Sequence, residues 1–167
     1  WRVELPDENP SLAPLVVGRY FRNVKNRPSP QWLKDRLQAI GFRPISALVD
    51  ITNYVMMDIG RPLHAYDADK VKGDIFIRLA KTDEKYIALD GKEYTFDDEM
   101  IVIGDDHGVD DLAGIMGGER SGCSDSTVNM FLEAAIFDPI RIAATGRKLN
   151  IVSDARYRFE RGLDVTS

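Results

Sequence analysis

The hydrophobic period of this chain changes close to His64, and that change restricts the fold more than any other feature. Ahead of it, apolar residues recur at helical spacing. In "SPQWLKDRLQAIG" (29–41), Trp32, Leu33, Leu37 and Ile40 form one stripe. Ser29 is placed as the N-cap, Pro30 at the first helical position and Gly41 at the end. A second helix is predicted from about Ser46 to Ile59, stopping at Gly60. Beyond His64 the spacing drops to two. "DIFIRLA" (74–80) alternates like a strand, and "KYIALDGKEYTF" (85–96) reads as two strands around Asp90-Gly91, a pair that tolerates the positive φ of a tight turn. "MIVIGD" (100–105) and the apolar "VNMFLEAAIF" (128–137) supply further strands. Helices return at 138–149, with Asp138 as N-cap and Pro139 behind it, and at 153–162, capped by Ser153 and ended by Gly162. An earlier strand candidate is "LVVGRYFRNV" (15–24). Two helices, a run of strands and two more helices predict an α+β fold.

The composition narrows the function classes. With 44% hydrophobic residues in 167, the chain can bury a sizeable core. No apolar run approaches the roughly 20 residues that cross a bilayer, so no membrane association is expected. The lone Cys123 excludes an internal disulfide and a cysteine-cluster zinc site. A net charge of −5 argues against a general clamp on a nucleic-acid backbone. From Arg141 onward, however, Arg141, Arg147, Lys148, Arg156, Arg158 and Arg161 outnumber the acids, and that end reads either as two solvated helices or as a contact for a few phosphates. The chain begins at Trp1 rather than Met, which points to a piece of something longer.

Several residues sit where their chemistry needs a reason. Glu133 lies inside "NMFLEAAIF"; a carboxylate in a buried strand costs several kcal/mol unless paired, hydrogen-bonded or protonated. Either a core arginine neutralises it or it waits in a pocket for a ligand's donor. Asn53 is a poor helix former in the middle of a helix, so a core hydrogen bond or a ligand should offset it. His64 follows the stiff "GRPL" and is either structural or presented to a cavity. The glycines of "AGIMGG" (113–118) match no phosphate-loop spacing; they serve turns or let backbone approach a small ligand. "GDDHGVDD" (104–111) lacks the ligand spacing of a calcium loop and reads as an exposed hairpin tip, so no metal is expected.

Taken together, "LVDITNYVMMDIGRPLHAYDADKV", "ALDGKEY", "LAGIMGGERSG", "FLEAAIFDP" and "SDARYRFERGLD" resemble, in order and approximate spacing, the B3/B4 region of the bacterial phenylalanyl-tRNA synthetase beta chain. The resemblance covers about residues 28–165. It implies an interleaved B3/B4-type fold with a mostly antiparallel sheet core and flanking helices, an editing domain over 28–167, and an extension or linker over 1–27.

It also implies an activity: hydrolysis of tyrosine wrongly esterified to tRNA-Phe. On that likeness Glu133 recognises the tyrosine hydroxyl, with the backbone of Gly114 beside it. Gly117 keeps the pocket open, and His64, with Pro62 before it, lies near the scissile ester as a base or as a holder of water. Asn53, Ser153 and Ala155 line the same pocket. Tyr66 and the acidic run 104–111 are expected away from it. The implied partners are the 3′ end of tRNA-Phe, tyrosine as pocket ligand and an alpha subunit in a heterotetramer of two alpha and two beta chains, in the cytoplasm. The domain itself implies no cofactor; ATP and magnesium would serve aminoacylation elsewhere in the full enzyme. The alternative is a non-catalytic module that binds the acceptor end after loss of editing.

Overall fold

The computed structural model describes residues 2–5, 12–164 and 166. Its elements, in chain order, are β1 (Arg2–Glu4), β2 (Leu15–Arg22), α1 (Gln31–Ala39), α2 (Ala47–Ile59), β3 (His64–Asp67), β4 (Phe76–Leu79), β5 (Lys85–Ile87), β6 (Glu93–Thr95), β7 (Ile101–Asp105), β8 (Gly108–Leu112), β9 (Met116–Gly117), β10 (Asn129–Ile136), α3 (Pro139–Lys148) and α4 (Asp154–Phe159). Three sheets result. One has the order β1-β4-β7-β8-β9, one the order β2-β10-β3, and β5 pairs with β6 alone. All pairings are antiparallel except β1 with β4. The α+β class with a mostly antiparallel core therefore holds.

The long-range pairings are what bring the site together. β10, the last strand, is central in its sheet: β2 pairs along its whole length from Asn129 to Ile136, and β3 pairs on the other side. Strands from both sides of residue 28 thus share sheets with the rest; of the segment 1–27, residues 1 and 6–11 lie outside the described residues. Between the two larger sheets and the helices α3 and α4 sits one core, with Ile77, Val102, Leu112, Ala113, Phe137, Ile142 and Phe159 almost fully buried.

Local signals set most element ends. Asp138 accepts from Arg141 N at 2.8 Å and Pro139 follows it, so α3 starts where a cap and a proline specify. Gly60 ends α2 in a left-handed conformation (φ 75°), as its position predicts. Gly91 takes φ 76° at the tip of the β5–β6 hairpin. The first helix departs from expectation. Ser29 caps nothing: its Oγ donates instead to Asp50 Oδ2 at 2.5 Å, and Pro30 occupies the cap position without a side-chain bond. Asp50 is fully buried and also accepts from Ile45 N at 2.8 Å. A buried acceptor with two donors outcompetes a cap that water could replace.

Asp50 therefore ties the start of α1 to the start of α2. Asp50→Ala leaves Ser29 Oγ and Ile45 N without their acceptor, and we expect a loss of about 3 kcal/mol. Urea unfolding should show a lower midpoint at unchanged slope; a midpoint within error of the parent would mean that this carboxylate ties nothing.

Candidate functional site

Pairing of β10 with β3 sets Glu133 directly opposite His64 and Phe131 opposite Tyr66. Directly opposed residues leave an antiparallel pair on the same face, so Glu133 and His64 project side by side, their Cβ atoms roughly 5 Å apart. A cavity of about 90 Å³ lies on that face, closed from the other side by the β8–β9 segment and by α4. Pro62, His64, Asp111, Gly114, Gly117 and Glu133 line it, with Ile103, Phe137, Ala155 and Phe159 as its apolar wall. Glu133 is deep, only 5% exposed. The His64 side chain keeps 28% exposure, nearer the mouth.

Glu133 has no hydrogen bond or ion pair among the described residues, and no arginine reaches it. Burial, then the charge of Asp111, push its carboxyl up to about 8. That favours the protonated form at neutral pH, where the sequence suggested only an acceptor for a ligand's donor. A protonated carboxyl both donates and accepts.

Asp111 was not anticipated. The acidic run does form a hairpin, but only Asp106 and His107 are exposed at its tip; Asp105, Asp110 and Asp111 are buried. The run is thus no exposed loop. Burial alone would raise Asp105, but hydrogen bonds from Arg120, Lys72 N and His107 N outweigh it and hold that carboxyl below its ordinary value. Asp110 lies 2.6 Å from the same guanidinium, yet burial pushes it up to about 7. Asp111 faces the other way, into the cavity. Its Oδ1 accepts from Gly118 N at 2.9 Å and stands 3.5 Å from His64 Nε2. Tyr66 is not remote either. It is fully buried and packs edge-on to His64, with centroids 4.5 Å apart. Burial first, then the charges of Asp111 and Glu133, hold its phenol well above the ordinary range.

The glycine segment closes the cavity by close approach. A Cβ on Gly117 would stand 2.6 Å from His64 Cε1 and 3.1 Å from Asp111 Oδ1. Its missing side chain is what admits the imidazole. Gly114 adopts φ 68°, which favours glycine, and its amide donates to no group among the described residues. Ser153 does not line the cavity. Its Oγ accepts from Arg156 N, capping α4, and donates to Ile115 O at 2.6 Å, which fastens the glycine segment from behind. Asn53 is half-buried on α2 and is not brought to the cavity wall. Among the described residues no group of three or more His, Cys, Asp or Glu side chains could hold a metal ion, and no helix is long and apolar enough to cross a membrane. The basic C-terminal side chains largely meet acids of this chain: Arg156 and Arg161 pair with Glu160, Arg158 with Asp154, Lys148 with Asp97 and Arg141 with Glu99.

The proton on Glu133 has a stability signature. Unfolded, this group titrates near 4.5; folded, near 8. Between those values the unfolded chain binds fewer protons than the folded one, so this group's contribution lowers stability as pH rises through the window. Asp110 acts in the same direction up to about 7. Glu133→Gln removes the first contribution. Its stability relative to the parent should grow by several kcal/mol from about pH 5 to about pH 8. Thermal or urea unfolding at both values checks this, and an equal difference at the two would show that Glu133 is already ionised at the lower one.

Comparisons with known proteins follow the same lines. The family model described as the B3/4 domain matches residues 12–167. The chain is 61% identical over 163 residues to a protein named phenylalanine–tRNA ligase beta subunit from Paramagnetospirillum magneticum, covering 98% of this chain and 20% of that one. It is 57% identical over 162 residues to the protein of the same name from Mesorhizobium japonicum, covering 97% and 20%. The chain thus spans about a fifth of the length of these curated relatives. Among solved structures, an N-terminal fragment of the phenylalanyl-tRNA synthetase beta subunit from Pyrococcus horikoshii matches with a TM-score of 0.56 at 16% identity, covering 87% of this chain and 48% of that one; this likeness speaks for the fold alone. With its three sheets, four helices and a match along nearly its whole length, the chain belongs to the B3/4 domain family, and its sequence is similar throughout to part of the phenylalanine–tRNA ligase beta subunit.

Proposed function

We propose that this chain is the proofreading part of a phenylalanine–tRNA ligase and hydrolyses the ester between tyrosine and tRNA-Phe. The observation that carries this reading is Glu133: a buried carboxyl with no protein partner among the described residues, opening into a cavity beside a histidine. Such a group is costly in an otherwise apolar strand and finds its partner in a ligand.

The specificity follows from chemistry. An apolar pocket built for phenylalanine rejects the same ring with one added hydroxyl by only about 10²-fold. A second pocket can invert the selection by requiring the hydroxyl. Protonated Glu133 can donate to the phenol oxygen and accept its proton, and the free amide of Gly114 offers a further donor. Phenylalanine in the same place leaves the Glu133 carboxyl unpaired, and that penalty becomes the preference for tyrosine. Depth separates the two tasks: the phenol end goes down to Glu133, and the ester end stays near His64 at the mouth, where water and the 3′ end of the tRNA can enter. His64 holds or activates the water. The alpha subunit, the main grip on tRNA, a cytoplasmic setting and the ATP- and magnesium-dependent aminoacylation site belong to the rest of the assembly in this reading.

A second reading, a module that only binds the acceptor end, has its own support. Residues 19–43 hold Arg19, Arg22, Lys25, Arg27, Lys34, Arg36 and Arg43 against Asp35 alone. Several of these cations lie over exposed rings, Arg22 over Tyr20 and Arg36 over Trp32. Basic side chains interleaved with exposed aromatics suit a single-stranded end.

Hydrolysis of purified tyrosyl- and phenylalanyl-tRNA-Phe by the assembled ligase separates the readings. Glu133→Ala should cut the preference for the tyrosyl ester by roughly 10- to 100-fold, the worth of a buried polar group left without its partner. Equal treatment of both esters by parent and variant alike removes the hydroxyl sensor. A parent that binds the tRNA end but hydrolyses neither ester leaves the binding module.

A further inference from the structure

Three polar side chains line the cavity, and the hydroxyl sensor and the histidine account for two. The third is Asp111. Its Oδ1 stands 3.5 Å from His64 Nε2, which is longer than a formed hydrogen bond. Catalytic hydrogen bonds shorten in the complex with substrate. Both His64 Nε2 and Asp111 Oδ2 are buried and form no hydrogen bond of ordinary geometry among the described residues, although the Tyr66 phenol also reaches the Asp111 carboxyl. Nε2 thus has no access to water, while the ring as a whole keeps 28% exposure. Nδ1, the other nitrogen, is not among the buried atoms left without a partner. The carboxylate is itself held in place. Gly118 N donates to Oδ1, and the missing side chain of Gly117 lets imidazole and carboxylate approach each other. The other titratable groups around His64 are Tyr66, edge-on from the same strand, and Glu133 on β10, which forms no ion pair with it.

We propose that Asp111 is a positioning residue: it accepts from His64 Nε2–H, fixes that tautomer, and leaves Nδ1 as the acceptor for a proton of the attacking water. The last clause rests on the hydrolase reading; the tautomer does not. In the reaction the water oxygen bonds to the ester carbonyl carbon while one water proton passes to Nδ1. The bond from that carbon to the ribose oxygen then breaks, and Nδ1 returns the proton to the departing oxygen. The tyrosine carboxylic acid so formed loses its remaining proton to solvent, and His64 is restored. Asp111 stabilises the imidazolium formed between the two proton transfers.

With two histidines in the chain, nitrogen NMR of the imidazoles resolves the tautomer directly, and exposed His107 is the internal reference. The parent should show His64 as Nε2–H. Asp111→Asn should keep that tautomer, because Gly118 N–H holds the amide oxygen at the Oδ1 place, but lose the charge; Asp111→Ala should release a mixture. In the assembled ligase, hydrolysis of the tyrosyl ester should fall roughly 10²-fold in kcat for Asp111→Ala, with KM little changed and a smaller loss for Asp111→Asn. A purely structural role would lower stability without moving the tautomer or splitting kcat from KM. Nδ1–H in the parent, which needs no variant to observe, overturns the proposal. So does an Asp111→Ala protein with unchanged tautomer and rate. A parent ligase that does not hydrolyse the ester fails the hydrolase reading instead, and the NMR result still decides whether Asp111 orients His64.

Discussion

The arrangement depends on the register between β10 and β3. Because side chains alternate along a strand, a slip of one residue would turn Glu133 out of the cavity and bring Leu132 in. The register is over-determined. Eight residues of β2 pair along the far side of β10. Thr127, just ahead of β10, donates to Asp67 at the end of β3, and Asp67 N donates to Ser121 O. Asn129 binds Asp69 through both carboxylate oxygens. These contacts lie at one end of the pair and Glu133–His64 at the other, so the strand cannot relieve its buried acid by shifting. It can only protonate it or give it a ligand.

Much of this was legible and some was not, for identifiable reasons. Helices were readable because caps, prolines and terminal glycines act locally. Glu133 was readable because an acid within an apolar run always needs an explanation, though only the fold could remove the rival explanation of a core arginine. The misses share one cause, a partner far away in sequence. Ser29 looked like a cap until Asp50, 21 residues on, proved the better acceptor. The strand that starts at His64 left no signal in the sequence because β3 gains its strand identity from β10, 69 residues later at Glu133. The acidic run looked solvated because polar residues on both faces of β8 conceal its alternation. Arg120 and the Gly118 amide make burial of that run tolerable, and neither is visible from within it. Its one clue was Leu112-Ala113 following directly, which continues the strand into the core.

The buried acids also explain one another. Asp105 and Asp110 are buried around Arg120, Asp111 and Glu133 around the cavity, and four uncompensated carboxylates would be prohibitive. Arg120 takes Asp105 and bears on Asp110, which leaves Asp111 and Glu133 to share the cavity without a cation. Burial and then the charge of Asp111 keep the proton on Glu133. That division supplies the two kinds of group the proposed function uses: an uncharged carboxyl that can face a phenol and a carboxylate that can face an imidazole. It also couples them. Part of what holds the proton on Glu133 is the charge on Asp111, so any change that neutralises Asp111 eases ionisation of Glu133 as well as freeing His64. In the proposed function, selection of the ring and handling of the ester, separated in space by the depth of the cavity, are joined through one carboxylate on β8.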